Sequence, residues 1–376
     1  MSDFPASEFE ARISHIQSRM HEAGMSALLL MTEPEIRYYT GFRTLFWQSP
    51  TRPWFLIIPG NGKPIAIIPE IGAALMSRTW IDDIRTWPSP RPDDDGISLL
   101  KSALEDHPSV GILKGSETHL HMPLAGFETL KEHLRHTNFV DATKLVRAQR
   151  MVKSEAEIAI TAKICNIASR GFANGPRLFK AGQPQSEAFR AFKIELLTQG
   201  ADDVPFLVGG AGQGGYEDII SPPADTPLDQ GDILMLDTGA TLNGYFCDFD
   251  RNFSIGPPDD NARQAYATLY QATEAALAAA RPGLSCQQLF ETMQAVIGGS
   301  DESVGRYGHG LGIQLTEPPS LAAFDQTVLQ EGMVMTIEPS IAIPGGKFLV
   351  TEENIVIRDG APQMLTARAP EELPVL

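Results

Sequence analysis

The amino-acid sequence predicts two domains, an α/β domain followed by an α+β domain. Three observations carry that prediction. Strand-like apolar runs alternate with helical stretches over the first part of the chain, as in an α/β unit. A fresh capping box, Ser154 to Glu157, then opens a helix, and long helices alternate with antiparallel strand signals to the end. In that second part lie five potential metal ligands, Asp237, Asp248, His309, Glu338 and Glu352, each in a short apolar or glycine-flanked frame.

The elements follow in order. Residues 7–24 read as an amphipathic helix with Ser7 and Glu10 as a capping box. Phe9, Ile13, Ile16 and Met20 lie on one face, and Gly24 stops it. Strand runs follow at 27–31, 54–59, 64–70 and 110–114, with helical stretches around 71–79, 97–106 and 124–135. The Pro, Asp and Gly of residues 88–96 mark a loop. VDATKLVRAQRMVK (140–153) reads as the crossover between domains 1–146 and 147–376. An Ala-rich helix over 261–280 is halted by Pro282-Gly283, and Ser285 to Gln288 caps the next.

The chain's 43% hydrophobic and 20% charged residues describe a globular protein with a large core. A net charge of −17 disfavours a nucleic-acid binder, which would be basic. The three unclustered cysteines fit a reducing compartment. The start of the chain has no basic segment leading into an apolar one, and no apolar run is long enough for a membrane span. The expected location is cytoplasmic.

The clearest chemical signal is a hairpin. DILMLDTGA and YFCDFDRNF flank TLNG, and Asn-Gly is a strong hairpin turn. A Leu242-Asn243 loop sets Asp237 opposite Asp248, whereas an Asn243-Gly244 loop sets it opposite Asp250. Residues 248 and 250 share a strand face, so either register gathers carboxylates. Charges that close repel unless a proton or a cation lies between them. His309 sits among glycines that let backbone approach a ligand. Glu338 ends the apolar run VMTI, and Glu352 lies inside FLVTEENIVI. Four carboxylates and one imidazole make an oxygen-rich cage for divalent manganese, iron, cobalt or zinc.

The order of these frames resembles the pita-bread metallohydrolase superfamily, which includes methionine aminopeptidase, aminopeptidase P, prolidase and creatinase. Its frame is an Asp, a second Asp eleven residues on, a His in GHG-x-G, a Glu in T-x-EP and a final-strand Glu. This chain carries Asp237, Asp248, His309, Glu338 and Glu352 in those places. The resemblance implies a pita-bread catalytic domain behind a creatinase-type N-terminal domain. It implies two bound metal ions with Asp248 and Glu352 bridging them, and Glu338 as proton shuttle.

Two departures bear on the substrate. Thr316 and Ile220 stand where peptidases of the family carry histidines. Two features lean toward creatinase. Arg52, near Trp47 and Trp54, matches the arginine that binds a substrate carboxylate across the creatinase dimer, which implies a homodimer with a shared site. Asp250 matches the residue that holds creatinase's guanidinium; the plain alternative is a surface acid paired with Arg251. The expected substrate contacts are therefore Arg52, Trp47, Asp250 and Thr316. The expected activity is hydrolysis of a C–N bond in a small carboxylate-bearing molecule, a dipeptide or an osmolyte. The alternatives are a lyase or creatine- or ectoine-type hydrolase acting on an osmolyte, and a non-catalytic binding member. The dimethylsulfoniopropionate lyase carries an extra Asp where this chain has Gly239, and non-catalytic members lose ligands that this chain keeps.

Overall fold

The computed structural model describes residues 4–49, 52–91, 93–298 and 305–376. The chain divides into two compact units, Met1–Arg150 and Met151–Leu376.

The first unit opens with α1 (Ala6–Glu22), whose Phe9, Ile13, Ile16 and Met20 are buried as their spacing predicts. Its start differs from expectation. The helix begins one residue before Ser7, with Pro5 at the cap and no side-chain cap bond. Pro5 is extended at φ −65°, and that already ends the helix on its N-terminal side. There follow β1 (Ala27–Leu30), α2 (Glu33–Thr40), β2 (Phe55–Pro59), β3 (Ile65–Pro69), α3 (Ala73–Met76), β4 (Asp83–Trp87), α4 (Ile97–Leu104), β5 (Ser109–Ile112), α5 (Leu124–His133), β6 (Asn138–Asp141) and α6 (Thr143–Met151). The strands form one mixed sheet in the order β4-β3-β2-β1-β5-β6. β1 and β2 lie near its centre, and their apolar runs are buried almost throughout. The segment read as a crossover holds the end of β6 and helix α6, which Asp141 starts by accepting from the Thr143 amide and hydroxyl.

The second unit begins with α7 (Glu155–Ala173), capped by the Ser154–Glu157 box. Then come α8 (Gly175–Leu178), α9 (Gln185–Gln199), β7 (Asp203–Gln213), β8 (Asp232–Leu242), β9 (Tyr245–Phe246), β10 (Phe249–Ser254), α10 (Asp260–Ala279) and α11 (Cys286–Ile297). The remainder is strand: β11 (His309–Gly310), β12 (Glu317–Ser320), β13 (Val334–Ile337), β14 (Ser340–Ile343), β15 (Lys347–Val350), β16 (Glu353–Val356) and β17 (Gln363–Met364). One sheet has the order β10-β8-β7, with β9 on β8; the other is β12-β11-β13-β16-β17. A helix group backs each sheet. Phe172 of α7 and Phe192 of α9 pack on Phe249 and Leu236 of the first. Ala276 of α10 and Leu289 and Met293 of α11 pack on Met335, Ile337 and Ile355 of the second. The fold is the α+β pita-bread type, preceded by an α/β domain.

Candidate metal centre and active site

The hairpin turn is Asn243-Gly244. Both residues have positive φ (48° and 66°), the type I′ arrangement that matches strand twist. Leu242 pairs with Tyr245, and Asp237 pairs with Asp250. Asp248 falls in the break between β9 and β10, where it leaves the ladder. Its backbone polar groups still need partners. Asn354 of β16 supplies both: Asn354 Oδ1 accepts from the Asp248 amide (3.0 Å), and Asn354 Nδ2 donates to the Asp248 carbonyl. Cys165 of α7 donates to the same Oδ1 at 3.3 Å.

Glu338 and Glu352 also lie at strand breaks. Glu338 follows β13, and Glu352 sits between β15 and β16. Arg251 ties this side to the hairpin. Its Nη1 donates to the carbonyls of Asp250 (2.6 Å) and Glu352 (2.8 Å), and its Nη2 pairs with buried Glu353 at 3.0 Å. Glu353 is further fixed by Arg368, the Ala369 amide and Thr366. The surface ion pair considered for Asp250 and Arg251 is therefore absent. Asp250 is buried, and Arg251 meets its carbonyl. Burial removes the carboxylate from solvent, and Arg251 is spent on other acceptors.

His309 is delivered by a segment pressed against β13. A Cβ on Gly308 (φ 132°) would lie 2.2 Å from the Thr336 carbonyl oxygen, so only glycine permits the approach. The His309 amide donates to Thr336 Oγ1 at 3.0 Å. With the ring neutral, His309 Nδ1–H donates to the Gly310 carbonyl (2.8 Å), leaving Nε2 unprotonated 3.3 Å from Asp248 Oδ2.

Ligand atoms of Asp248, His309 and Glu352 all lie within 4.8 Å of one another. Those three residues are buried, whereas Asp237 and Glu338 are half-buried. Burial, then repulsion from Asp248 and Glu338, pushes Asp237 well above the usual carboxylate range. Asp248 is raised well above it by burial and by Glu338. Glu352 is raised likewise by burial and by the surrounding acids, Asp248 foremost. Burial raises Glu338, with His309 and Arg306 opposing, and it depresses His309. A neutral imidazole lone pair thus faces a crowded carboxylate. Asp237 Oδ1 and Glu352 Oε1 have no hydrogen-bond partner despite being buried atoms. Unpartnered oxygens beside an imidazole nitrogen suit a divalent cation, which would displace the protons that the raised carboxylates otherwise hold.

The model for metallopeptidase family M24 matches residues 159–359. The chain belongs to that family. The creatinase/prolidase N-terminal domain model matches residues 12–152. The probable dipeptidase PepE of Mycobacterium tuberculosis is 29% identical over 375 residues, covering 95% of this chain and 94% of its own. The Xaa-Pro dipeptidase of Pyrococcus horikoshii is 26% identical over 370 residues, covering 94% and 96%. Among solved structures, dipeptidase PepE from Mycobacterium ulcerans matches with a TM-score of 0.86 at 27% identity, covering 99% of each chain. Prolidase from Pyrococcus horikoshii matches at 0.83 and 26%, covering 96% of this chain and 100% of its own. This M24 chain is a metal-dependent, peptidase-like hydrolase, and its family uses divalent ions.

The other expected site residues divide. Asp250 joins the acidic group: it faces Asp237 across the ladder, and burial followed by repulsion from Asp237 raises it well above the carboxylate range. Thr316 is exposed on the loop before β12, and Ile220 is 80% exposed. Trp47 and Arg52 belong to the first unit. Trp47 is buried against Trp54 (ring centroids 5.6 Å apart), and the Arg52 guanidinium lies 4.8 Å from the Phe46 ring centroid. Sequence reading missed Asn354 and the buried Lys153–Glu317 pair (3.1 Å) next to Thr316. An Asn two residues after Glu352 in an otherwise apolar strand was the available signal for the first.

Proposed function

We propose that the protein hydrolyses the amide C–N bond of a small zwitterion of the dipeptide class, using two divalent ions held by Asp237, Asp248, His309, Glu338 and Glu352. The carrying observation is the 3.3 Å approach of His309 Nε2, unprotonated in the neutral ring, to Asp248 Oδ2, with Glu352 in the same cluster. Relatives named as dipeptidases and Xaa-Pro dipeptidases support the substrate class. Bound divalent ions polarise a carbonyl and lower the pKa of water. Asp248 and Glu352, the buried carboxylates beside His309, would hold the ions together with it. Glu338, half-buried at the rim, takes a proton on its carboxylate from the attacking water and returns it to the leaving nitrogen. Asp250 attracts the substrate's cationic nitrogen.

Thr316 takes the place of a donor histidine, so Xaa-Pro dipeptides are expected to turn over slowly. Losing one oxyanion donor costs on the order of 100-fold. Thr316→His should speed Xaa-Pro cleavage by about tenfold or more. The proposal includes a homodimer, supported by exposed Leu45 (79%) and Ile71 (68%) around the Trp54 cluster, and cytoplasmic residence, supported by three free cysteines. Protein loaded with manganese, iron, cobalt or zinc should release free amino acids from a dipeptide panel, and Glu338→Gln should abolish the release. No release with any of the four metals would remove the dipeptidase reading. Light scattering decides the oligomeric state.

A further inference from the structure

We propose that the buried Lys153–Glu317 ion pair positions His309: it clamps the segment from Gly310 to Glu317 and so keeps the imidazole Nε2 turned to the metal site. The inference rests on the metal-site reading above. The proposed chemistry uses neither charge of the pair, yet both side chains are buried and meet at 3.1 Å. Stranding one partner of such a pair is costly, so the two hold each other, and the chain they belong to, in place. Lys153 is fixed at its backbone. Its amide donates to the Gly332 carbonyl (3.0 Å) just before β13, and Val152 bridges to Met333. Glu317 carries the grip onward. Its Oε2 takes Lys153 Nζ, and its Oε1 accepts from the Gln314 amide at 3.1 Å. Gly312 rests directly on the pair: a Cβ there would stand 2.9 Å from Lys153 Cε and 3.0 Å from Glu317 Oε1.

The ladder at His309 gives little hold of its own. β11 is two residues long, and its register against β12 slips between them: His309 faces Ser320, whereas Gly310 faces Glu317. Gly310 is also the residue whose carbonyl accepts His309 Nδ1–H at 2.8 Å. Contacts therefore run from Lys153 to Glu317, from Glu317 across the ladder to Gly310, and from the Gly310 carbonyl to the imidazole. Which nitrogen of a neutral imidazole carries the proton is set by the bond its other nitrogen makes. The Gly310 carbonyl keeps the proton on Nδ1 and leaves Nε2 free, facing Asp248 Oδ2 at 3.3 Å. It does so only while the 310–317 segment keeps its place. Lys153 and Glu317 act through another residue and are positioning residues.

The test measures calorimetric manganese binding, melting temperature and, in metal-free protein labelled with 15N-histidine, the His309 tautomer, assigned by loss of its signal in His309→Ala. The variants are Lys153→Met and the double variant Lys153→Met/Glu317→Gln, which strands no buried charge and folds even where the single does not. Each should weaken manganese binding by about 10- to 100-fold, the range for losing the outer support of a ligand. Each should also move part of the His309 proton from Nδ1 to Nε2. In a His309→Ala background, Lys153→Met should change the remaining affinity by less than about twofold, because the residue it acts through is gone. In an Asp237→Asn background it should keep its full effect. Manganese affinity unchanged in the double variant, whatever its melting temperature, overturns the inference. So does an equal loss with and without His309, which would mark a general structural role. If the wild type binds no manganese, the metal reading fails by itself, and the tautomer alone decides. A proton on Nδ1 in the wild type that shifts in the double variant supports the clamp, and any other pattern overturns it.

Discussion

The two halves of the metal site are built differently, although each contributes two of its carboxylates. The hairpin β8–β10 is nearly continuous. Asp237 sits inside a strand of eleven residues, and only Asp248 leaves the ladder. In the second half Glu338 and Glu352 both lie outside strands, where the chain departs for the β14–β15 hairpin and returns. Regular pairing places Asp237, and side-chain braces hold the chain at Asp248 and beside Glu352. Asn354 reaches from the second half to hold the Asp248 backbone, and Asn252 reaches from the first to donate to the Val350 carbonyl at 2.6 Å. The Val350 amide is held separately by the Tyr216 hydroxyl at 2.7 Å. A hard-ligand site thus depends on cross-braces as much as on ladders.

Catalysis separates the halves most strongly. Glu338→Gln should lower kcat by about 100- to 10,000-fold, the range for a lost proton shuttle. Asp250→Asn should act mainly on KM, because it leaves every proposed ligand in place. Equal kcat effects from the two would erase the distinction drawn between rim and hairpin.

The braces give the next effect. Asn354→Ala leaves both a buried amide and a buried carbonyl of Asp248 unpaired, a loss of about 3 kcal/mol. Asn252→Ala takes the partner from one buried backbone group, the Val350 carbonyl, and from the Tyr216 hydroxyl, and should cost about 1–2 kcal/mol. Chemical denaturation of the two metal-free variants checks the order. A larger loss at Asn252 would show that the braces are not ranked by the backbone groups they satisfy.

The pH dependence is smaller and has a definite sign. Asp237, Asp248, Asp250 and Glu352 are all raised well above their ordinary range by burial and mutual repulsion. A carboxylate raised in the folded state contributes stability fully below its unfolded pKa of about 4 and loses it as pH rises through the folded value. Metal-free protein should therefore melt at progressively lower temperature as pH climbs from about 5 to 8. His309, depressed by burial, works oppositely as pH falls below about 6.5. Added metal should raise the melting temperature most at high pH and release protons on binding. A metal-free melting temperature that rose with pH over that range would contradict the crowding of the carboxylates.

What was legible in the sequence follows the same division. Asn243-Gly244 marked the turn, and alternation marked which acids share a face. The choice between registers needed the two positive φ values. Edge strands β4 and β6 escaped detection because partly exposed strands carry no apolar run: their residues are mostly half-buried or exposed. Helix α2 is only eight residues, with Pro34 in its first turn and Gly41 at its end, and offers little periodicity. Asn354 was hidden for another reason. Its importance comes from Asp248, which lies across the fold from it, and neighbouring residues do not encode that.

The most direct measurement is metal stoichiometry by calorimetry and elemental analysis on wild type, Asp248→Asn and His309→Ala. The wild type should bind about two manganese ions per chain, the number a two-ion site of this kind holds. Each variant should bind fewer, with correspondingly less proton release. Wild-type stoichiometry in both variants would contradict the claim that the two halves converge to hold metal.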